Sequence, residues 1–367
     1  MKTRIISSII LVILFIPGLC FAQTDFGEPW ETLSTFGGAQ FYSRTLKGET
    51  EETAQQFVFP LTASGQVTEN LSIGIYQTIS TAQLEEGPSL SGLQNTKISG
   101  ALSLFGNTFV TYMGLGLPIA SSEPEAETAH LSNLLYSEVL QFGVSRTTEG
   151  LNFDTGFVFA RPFGNLSLGF GAGYLFRGSY DRLSPAEELV DYNPGDMVSG
   201  SVGLGLRAGL ASLRARLLYV YYGDDKIDED DALKSGSEFS FLASTRFRLR
   251  PLILTVFLTD TIKGEGESLQ EWITVNNLFS NRLNGGASLA YPFLNEALIL
   301  KVQARIKGFF DDGDTSANVV SFDGGFQLIP GDKLKLDVLA SLITGDMDFG
   351  ETQISGFSLG LMANYGF

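Results

Sequence analysis

Cysteine and histidine are almost absent, with one of each in 367 residues. That excludes a disulfide framework and leaves too few soft ligands for a zinc site. Basic residues are scarce beside acidic ones, 24 Lys and Arg against 41 Asp and Glu, for a formal net charge of −17. A nucleic-acid partner is therefore not expected, since its footprint is a basic face. Apart from the first twenty or so residues there is no long apolar run, so the chain does not cross a membrane as a helical bundle. Phosphate loops and nucleotide fingerprints are missing too, and no cofactor is expected. What is plentiful is glycine, 42 residues, and aromatics, with 29 Phe and 12 Tyr. The glycines have no triplet period, which excludes collagen, and the aromatics lean towards β structure. A hydrophobic share of 44% excludes a disordered chain.

Residues 1–22 read as a secretory signal peptide. Lys2 and Arg4 precede an apolar run that ends at Pro17 and Gly18, and Cys20, Phe21 and Ala22 set small residues at −3 and −1. Cleavage is expected after Ala22 and takes the only cysteine with it. The remainder, 23–367, reads as a single domain without internal repeats. An exported chain with no apolar helix can still span a lipid bilayer as a closed barrel, the one other form that satisfies every backbone group there.

Alternation supports that reading. Near the C-terminus, Phe357, Leu359, Leu361, Ala363, Tyr365 and Phe367 lie on one face, and Gly356, Ser358, Gly360, Met362, Asn364 and Gly366 on the other. The same period of two places Leu213, Ala215, Leu217, Tyr219 and Tyr221 opposite Arg214, Arg216, Leu218, Val220 and Tyr222. It recurs at 166–176, 239–248, 298–307 and 333–342. A slip of one residue would put Arg and Lys into hydrocarbon at about 2–4 kcal/mol each near the midplane, so register is well specified. A soluble sandwich alternates too, but with strands of roughly 5–6 residues; these runs are longer and suit a tilted barrel wall. The prediction is an all-β, transmembrane antiparallel barrel of about sixteen strands: 36–45, 54–62, 70–80, 94–105, 108–118, 151–161, 165–177, 197–209, 211–222, 236–249, 251–262, 282–292, 296–309, 317–328, 332–344 and 354–366. Fourteen is the fallback if the weakly alternating 36–62 forms a plug or an N-terminal segment instead. Short turns alternate with long polar loops at 46–53, 81–93, 119–150, 178–196, 223–235, 263–281, 310–316 and 345–353, placing both termini at the short-turn end.

Several side chains stand out. Loop 119–150 carries the longest helical signal, 129–141 with Thr128 as a possible cap, in which Leu131, Leu134, Leu135, Glu138 and Val139 follow helix spacing. Its apolar stripe must cover something, either in the lumen, as a constriction, or across the rim. Arg207, Arg214, Arg216, Arg246 and Arg248 take the inward parity, joined by Lys301, Arg305, Lys307, Lys333 and Lys335; inward cations favour anionic solutes. Inward Asp154 and Asp337 are candidates to pair with them, and acidic loops at the mouth pull the other way. Tyr76, Tyr112, Phe257 and Phe309 are the inward aromatics. Asp311, Asp312, Asp314 and the acids at 228–231 are oxygen donors without the spacing of a calcium loop, so no metal site is expected. The single His130 lacks a nucleophile motif around it, and neither a catalytic residue nor an enzyme is expected.

The leader, the alternating strands and the terminal strand ISGFSLGLMANYGF together resemble a bacterial outer-membrane β-barrel protein. That resemblance implies residence in the outer membrane, in contact with its lipid and lipopolysaccharide. It also implies long loops outside and short periplasmic turns, with Tyr365 and Phe367 read by the barrel assembly machinery. The segment GLGLPIASSE at 114–123 is similar to a strand-to-loop segment of phenol meta-pathway and fatty-acid or toluene transporters, although Ile119 and Ala120 replace their usual Thr-Gly. Loop 119–150 resembles the constriction loop of sixteen-stranded porins without their Pro-Glu-Phe-Gly-Gly element. The implied function is a channel or transporter for passive passage of small solutes. The alternatives are a transporter of hydrophobic compounds gated by loop 119–150, and a structural or adhesive barrel.

Overall fold

The computed structural model describes residues 34–366 except 86, 120–125, 145–149, 184–188, 270–279, 295–296, 312–313, 332 and 348–349. The leader 1–22, Phe367, and the acids Glu86, Glu123, Glu125, Glu187, Glu188 and Asp312 lie outside the described residues. In chain order the strands are β1 (Ser34–Lys47), β2 (Glu51–Gln66), β3 (Leu71–Leu84), β4 (Ser89–Leu93), β5 (Thr96–Leu104), β6 (Phe109–Leu117), β7 (Asn152–Phe163) and β8 (Leu166–Arg177). They continue as β9 (Tyr180–Leu183), β10 (Leu189–Asn193), β11 (Met197–Ala208), β12 (Ala211–Tyr222), β13 (Asp224–Ile227), β14 (Asp230–Lys234) and β15 (Glu238–Leu249). The last are β16 (Leu252–Lys263), β17 (Glu267–Ser268), β18 (Asn281–Phe293), β19 (Leu298–Asp311), β20 (Asp314–Leu328), β21 (Leu334–Met347) and β22 (Thr352–Gly366). One α-helix, α1 (Ala129–Tyr136), lies between β6 and β7. No helix among the described residues is long and apolar enough to cross a membrane.

Sixteen strands close into one antiparallel barrel, β4 and β5 acting as two pieces of a single wall strand. Closure is made by β1 on β22, paired from Ser34 with Gly366 through to Lys47 with Gln353. Ser34 and Gly366 therefore sit together at the short-turn end. The segment 36–62 is not a plug: β1 and β2, with 14 and 16 residues, are full wall strands. Their alternation is weak because inward Leu46, Ala54 and Val58 are apolar, for a reason that the lumen supplies. On the outer face, large apolar side chains are exposed all round the ring, for example Leu168, Phe170, Leu217, Tyr219, Leu300, Leu359 and Leu361.

The split between β4 and β5 explains a glutamine on that outer face. β3 pairs with β4 at Ile79 with Leu93 and with β5 at Tyr76 with Lys97, leaving one extra residue on the split strand. Gln77 donates Nε2 to the Gln94 carbonyl at 2.8 Å and accepts the Thr96 hydroxyl. A backbone group left open towards lipid would cost several kcal/mol, so the polar side chain repairs the ladder where it breaks.

Besides 81–93, which holds β4, three of the expected polar loops contain strands that form a second sheet. β9, β10, β13, β14 and β17 form a separate sheet beyond the wall, in the order β17-β14-β13-β10-β9. This repeats the neighbour order of β16, β15, β12, β11 and β8, from which they rise. Glycines mark the junctions: a Cβ on Gly195 would run into the Gly223 carbonyl, and one on Gly236 into that of Gly264. Adjacent chains close up there more tightly than any side chain allows, and the sheet breaks along that line. Strands of two to five residues, acidic on one face and flanked by glycine, read as loop in sequence. Tyr180, Val190, Tyr192, Ile227 and Ala232 form the small core of this upper sheet. Burial, and then Asp225 accepting its hydroxyl, push the Tyr192 phenol above its ordinary pKa.

Candidate functional site in the lumen

Register fixes which side chains face inward. Arg207, Arg214, Arg216, Arg246 and Arg248 share the inner face of β11, β12 and β15. Arg214 lies opposite Gly205 and Arg216 opposite Gly203, so the long side chains meet no facing side chain across the β11 ladder. Arg207 and Arg248 stand exposed at the short-turn rim, and the other three lie deeper. A second basic stripe runs along β19. Lys301 pairs with Asp337 at 3.0 Å, and Arg305 donates to Ser321 at 3.2 Å and to Asp323 at 3.4 Å. Lys307 is the next inward residue, opposite Asn284 and Val319. Lys335 is inward at the rim, with Lys333 in the turn before β21. Asp154 pairs with Lys97, at 2.7 Å, rather than with the arginine cluster.

The loop between β6 and β7 folds against the inner wall. Its helix is shorter than the spacing suggests: α1 ends at Tyr136, Ser137 is extended, and Thr128 makes no side-chain cap. Leu131 and Leu135 pack on Ala54, Ala82 and Leu84 of β2 and β3. Beyond the helix, Val139 and Leu140 pack on Phe309, Ala317, Val319, Ile343 and Ile354 of β19 to β22. Leu134 touches both clusters. The four residues expected to form a constriction, Leu131, Leu134, Leu135 and Val139, are thus spent on fastening the loop, each fully buried one contributing about 1.5–3 kcal/mol.

Polar anchors supplement them. Arg44, buried on β1, donates Nε to the Leu140 carbonyl at 2.6 Å and Nη2 to that of Gln141 at 3.3 Å. Its Nη1 reaches the carbonyls of Ser43 at 3.0 Å and Phe357 at 2.8 Å. The rings of Tyr42 and Phe142 lie 5.5 and 5.7 Å from the guanidinium carbon. Gln56 accepts from the Gly143 amide at 2.8 Å and donates to the Val144 carbonyl at 2.9 Å. At the far reach of the loop, Glu138 meets Arg282 of β18 at 2.6 Å, and Arg282 also holds Glu238 of β15 at 2.7 Å. Sequence reasoning missed Arg44, Gln56 and Arg282; the available signal was a long polar residue at an inward position of each strand.

Across the ring, β6, β7, β8 and β11 present an inner face of Gly114, Gly156, Gly171, Gly173, Ser199, Ser201 and Gly203. Tyr112 lies on it, and Phe257 lies over Gly286 of β18 in a similar way. At the loop end, exposed His130 is engaged by Glu52 at 2.8 Å. Asp228 and Glu229, both at positive φ, make the tight β13 to β14 turn, and Lys226 meets Asp231 at 3.7 Å. No cluster of metal-ligating side chains occurs among the described residues.

No family model and no curated protein matches the chain. Among solved structures it is similar to Pseudomonas putida OprB, with a TM-score of 0.52 and 10% identity, covering 92% of this chain and 94% of that one. Pseudomonas aeruginosa OccK7 (OpdD) superposes with a TM-score of 0.46 and 10% identity, over 92% of this chain and 99% of that one. At such identities the likeness is one of fold. By fold, the chain is a closed antiparallel β-barrel of sixteen strands, the architecture of the outer-membrane porins to which it is similar.

Proposed function

We propose that the chain is an outer-membrane channel through which small solutes pass passively, with a lumen that favours anions. One observation carries this reading. The inner wall from β6 to β15 is rich in glycine, serine and arginine, residues that suit water, with Val158, Leu175, Leu218, Val220 and Leu242 set among them, while the apolar residues of the loop are buried against the opposite wall. A transporter of hydrophobic compounds needs apolar side chains along the solute path, and those of the loop are already used. Arg207, Arg214, Arg216, Arg246 and Arg248 gather five positive charges on one stretch of wall, which raises the local anion concentration. The test is single-channel conductance of the refolded mature protein in a planar bilayer under a salt gradient. Stable steps with a reversal potential of anionic sign are expected, and Arg216→Glu with Arg246→Glu should move that potential towards cations. A folded barrel that never conducts would overturn the channel and favour a structural or adhesive role.

A further inference from the structure

One hydrogen-bonded row of the bare wall reads Ser72, Ala101, Tyr112, Gly156, Gly173 and Ser199. Tyr112 is its one large side chain. A Cβ on Gly156 would stand 2.5 Å from the Tyr112 hydroxyl oxygen, and one on Gly173 would stand 2.7 Å from it. The phenol therefore lies along the wall, from β6 across β7 to β8, instead of standing into the lumen.

The backbone does not ask for glycine at position 173. That residue is in mid-strand, and the nearest main-chain atom to its Cβ would be the Thr155 carbonyl oxygen at 3.6 Å. Only the Tyr112 hydroxyl and the Ser199 hydroxyl, at 3.1 Å, are closer. Glycine in a strand interior weakens it and often marks a close approach; here the approaching group is the phenol. The neighbouring pair of Lys97 and Asp154 is laid over Gly114 in the same manner, where a Cβ would meet both side chains.

We propose that Tyr112 sets the bore of the channel on this wall and that Gly173 is the recess holding its ring out of the solute path. The inference rests on the channel reading above. Valine at 173 suits a strand and fills the recess, and the ring is then expected to turn towards the lumen.

Single-channel conductance would be compared for the unmodified protein, Tyr112→Ala, Gly173→Val and the double variant, each shown to be a folded barrel by heat-modifiable migration. The expected result is a loss of conductance in Gly173→Val that the double variant relieves, with no loss in Tyr112→Ala. Conductance unchanged by Gly173→Val, or a loss that persists without Tyr112, would overturn the proposal. If Gly173→Val does not fold, Gly173→Ala with and without Tyr112→Phe repeats the comparison, since phenylalanine lacks the atom that the new Cβ would meet. No conductance from the unmodified folded barrel would instead overturn the channel reading on which this one stands.

Discussion

Two strands on opposite sides of the lumen show how differently the same outer pattern is used inside. From the short-turn end, the inward residues of β20 run Gln327, Gly325, Asp323, Ser321, Val319 and Ala317; those of β8 run Ser167, Gly169, Gly171, Gly173, Leu175 and Arg177. Both strands carry large apolar residues outward. Inside, β20 turns from polar to apolar where the loop docks, and β8 turns from small to basic where it does not. The upper inner wall of β19 to β22 and β1 to β3 is therefore a docking surface complementary to Leu131, Leu135, Val139 and Leu140. The described part of the loop is held there by a buried apolar seam and by a guanidinium that donates to two of its carbonyls and to two of the wall.

The hardest test of that contrast puts a charge at the seam. Leu140 is fully buried against β19 to β22, and Leu140→Asp places a carboxylate in that apolar seam, where the nearby Arg44 guanidinium is already donating to four carbonyls. Burying it there costs several kcal/mol, the same order as the apolar burial that fastens the loop, so the docked arrangement loses most of its advantage. Conductance should rise, and protease should cut within 128–144 while the barrel stays intact. Leu175→Asp, at a half-buried position on β8, should do neither. Equal effects at the two sites would mean that the halves do not differ as described.

Arg44→Met is a gentler version of the same experiment. It keeps the length and apolar stem of the side chain and removes the donors to Leu140, Gln141, Ser43 and Phe357. Each orphaned buried carbonyl costs about 1–3 kcal/mol, partly recovered where water reaches it. The expected outcome is a noisier channel with a protease-sensitive loop and an unchanged barrel melting temperature. A fall in barrel stability with a quiet channel would assign Arg44 to the closure of β1 on β22 instead.

The wall was legible in the sequence because lipid enforces a period of two that nothing else in a soluble exported chain imposes at that length. Strand count, register and the inward parity of every basic candidate on the wall follow from it. The weak alternation of 36–62 was the trace of the docked loop: Leu46, Ala54 and Val58 face inward but are not wet, so both faces look mixed. The loop's apolar stripe was readable, but its orientation was not, because burial against the wall and narrowing of the lumen use the same leucines. Arg44 and Gln56 showed only as long polar residues at inward positions, and what they hold was hidden for a related reason. Their partners are backbone carbonyls and amides of the loop, which leave no residue-type signature.

Asp260 provides the finest test, since it breaks the outer rule that both halves share. It takes the outward parity on β16, between Leu258 and Ile262, paired with Phe241 on one side and Leu283 on the other. Its Oδ1 is buried with no hydrogen-bond partner among the described residues. A carboxylate on the lipid face is destabilising by an amount that depends on depth and is smaller than for Arg or Lys. Three residues from the strand end, the expected cost is about 1 kcal/mol or less. Asp260→Leu should therefore raise the denaturant midpoint of the refolded barrel slightly and leave conductance and reversal potential as they were. A lower midpoint would show that this side chain has a polar partner on the outer surface when the protein is in its membrane, and that the outer face of β16 is not simply a lipid contact.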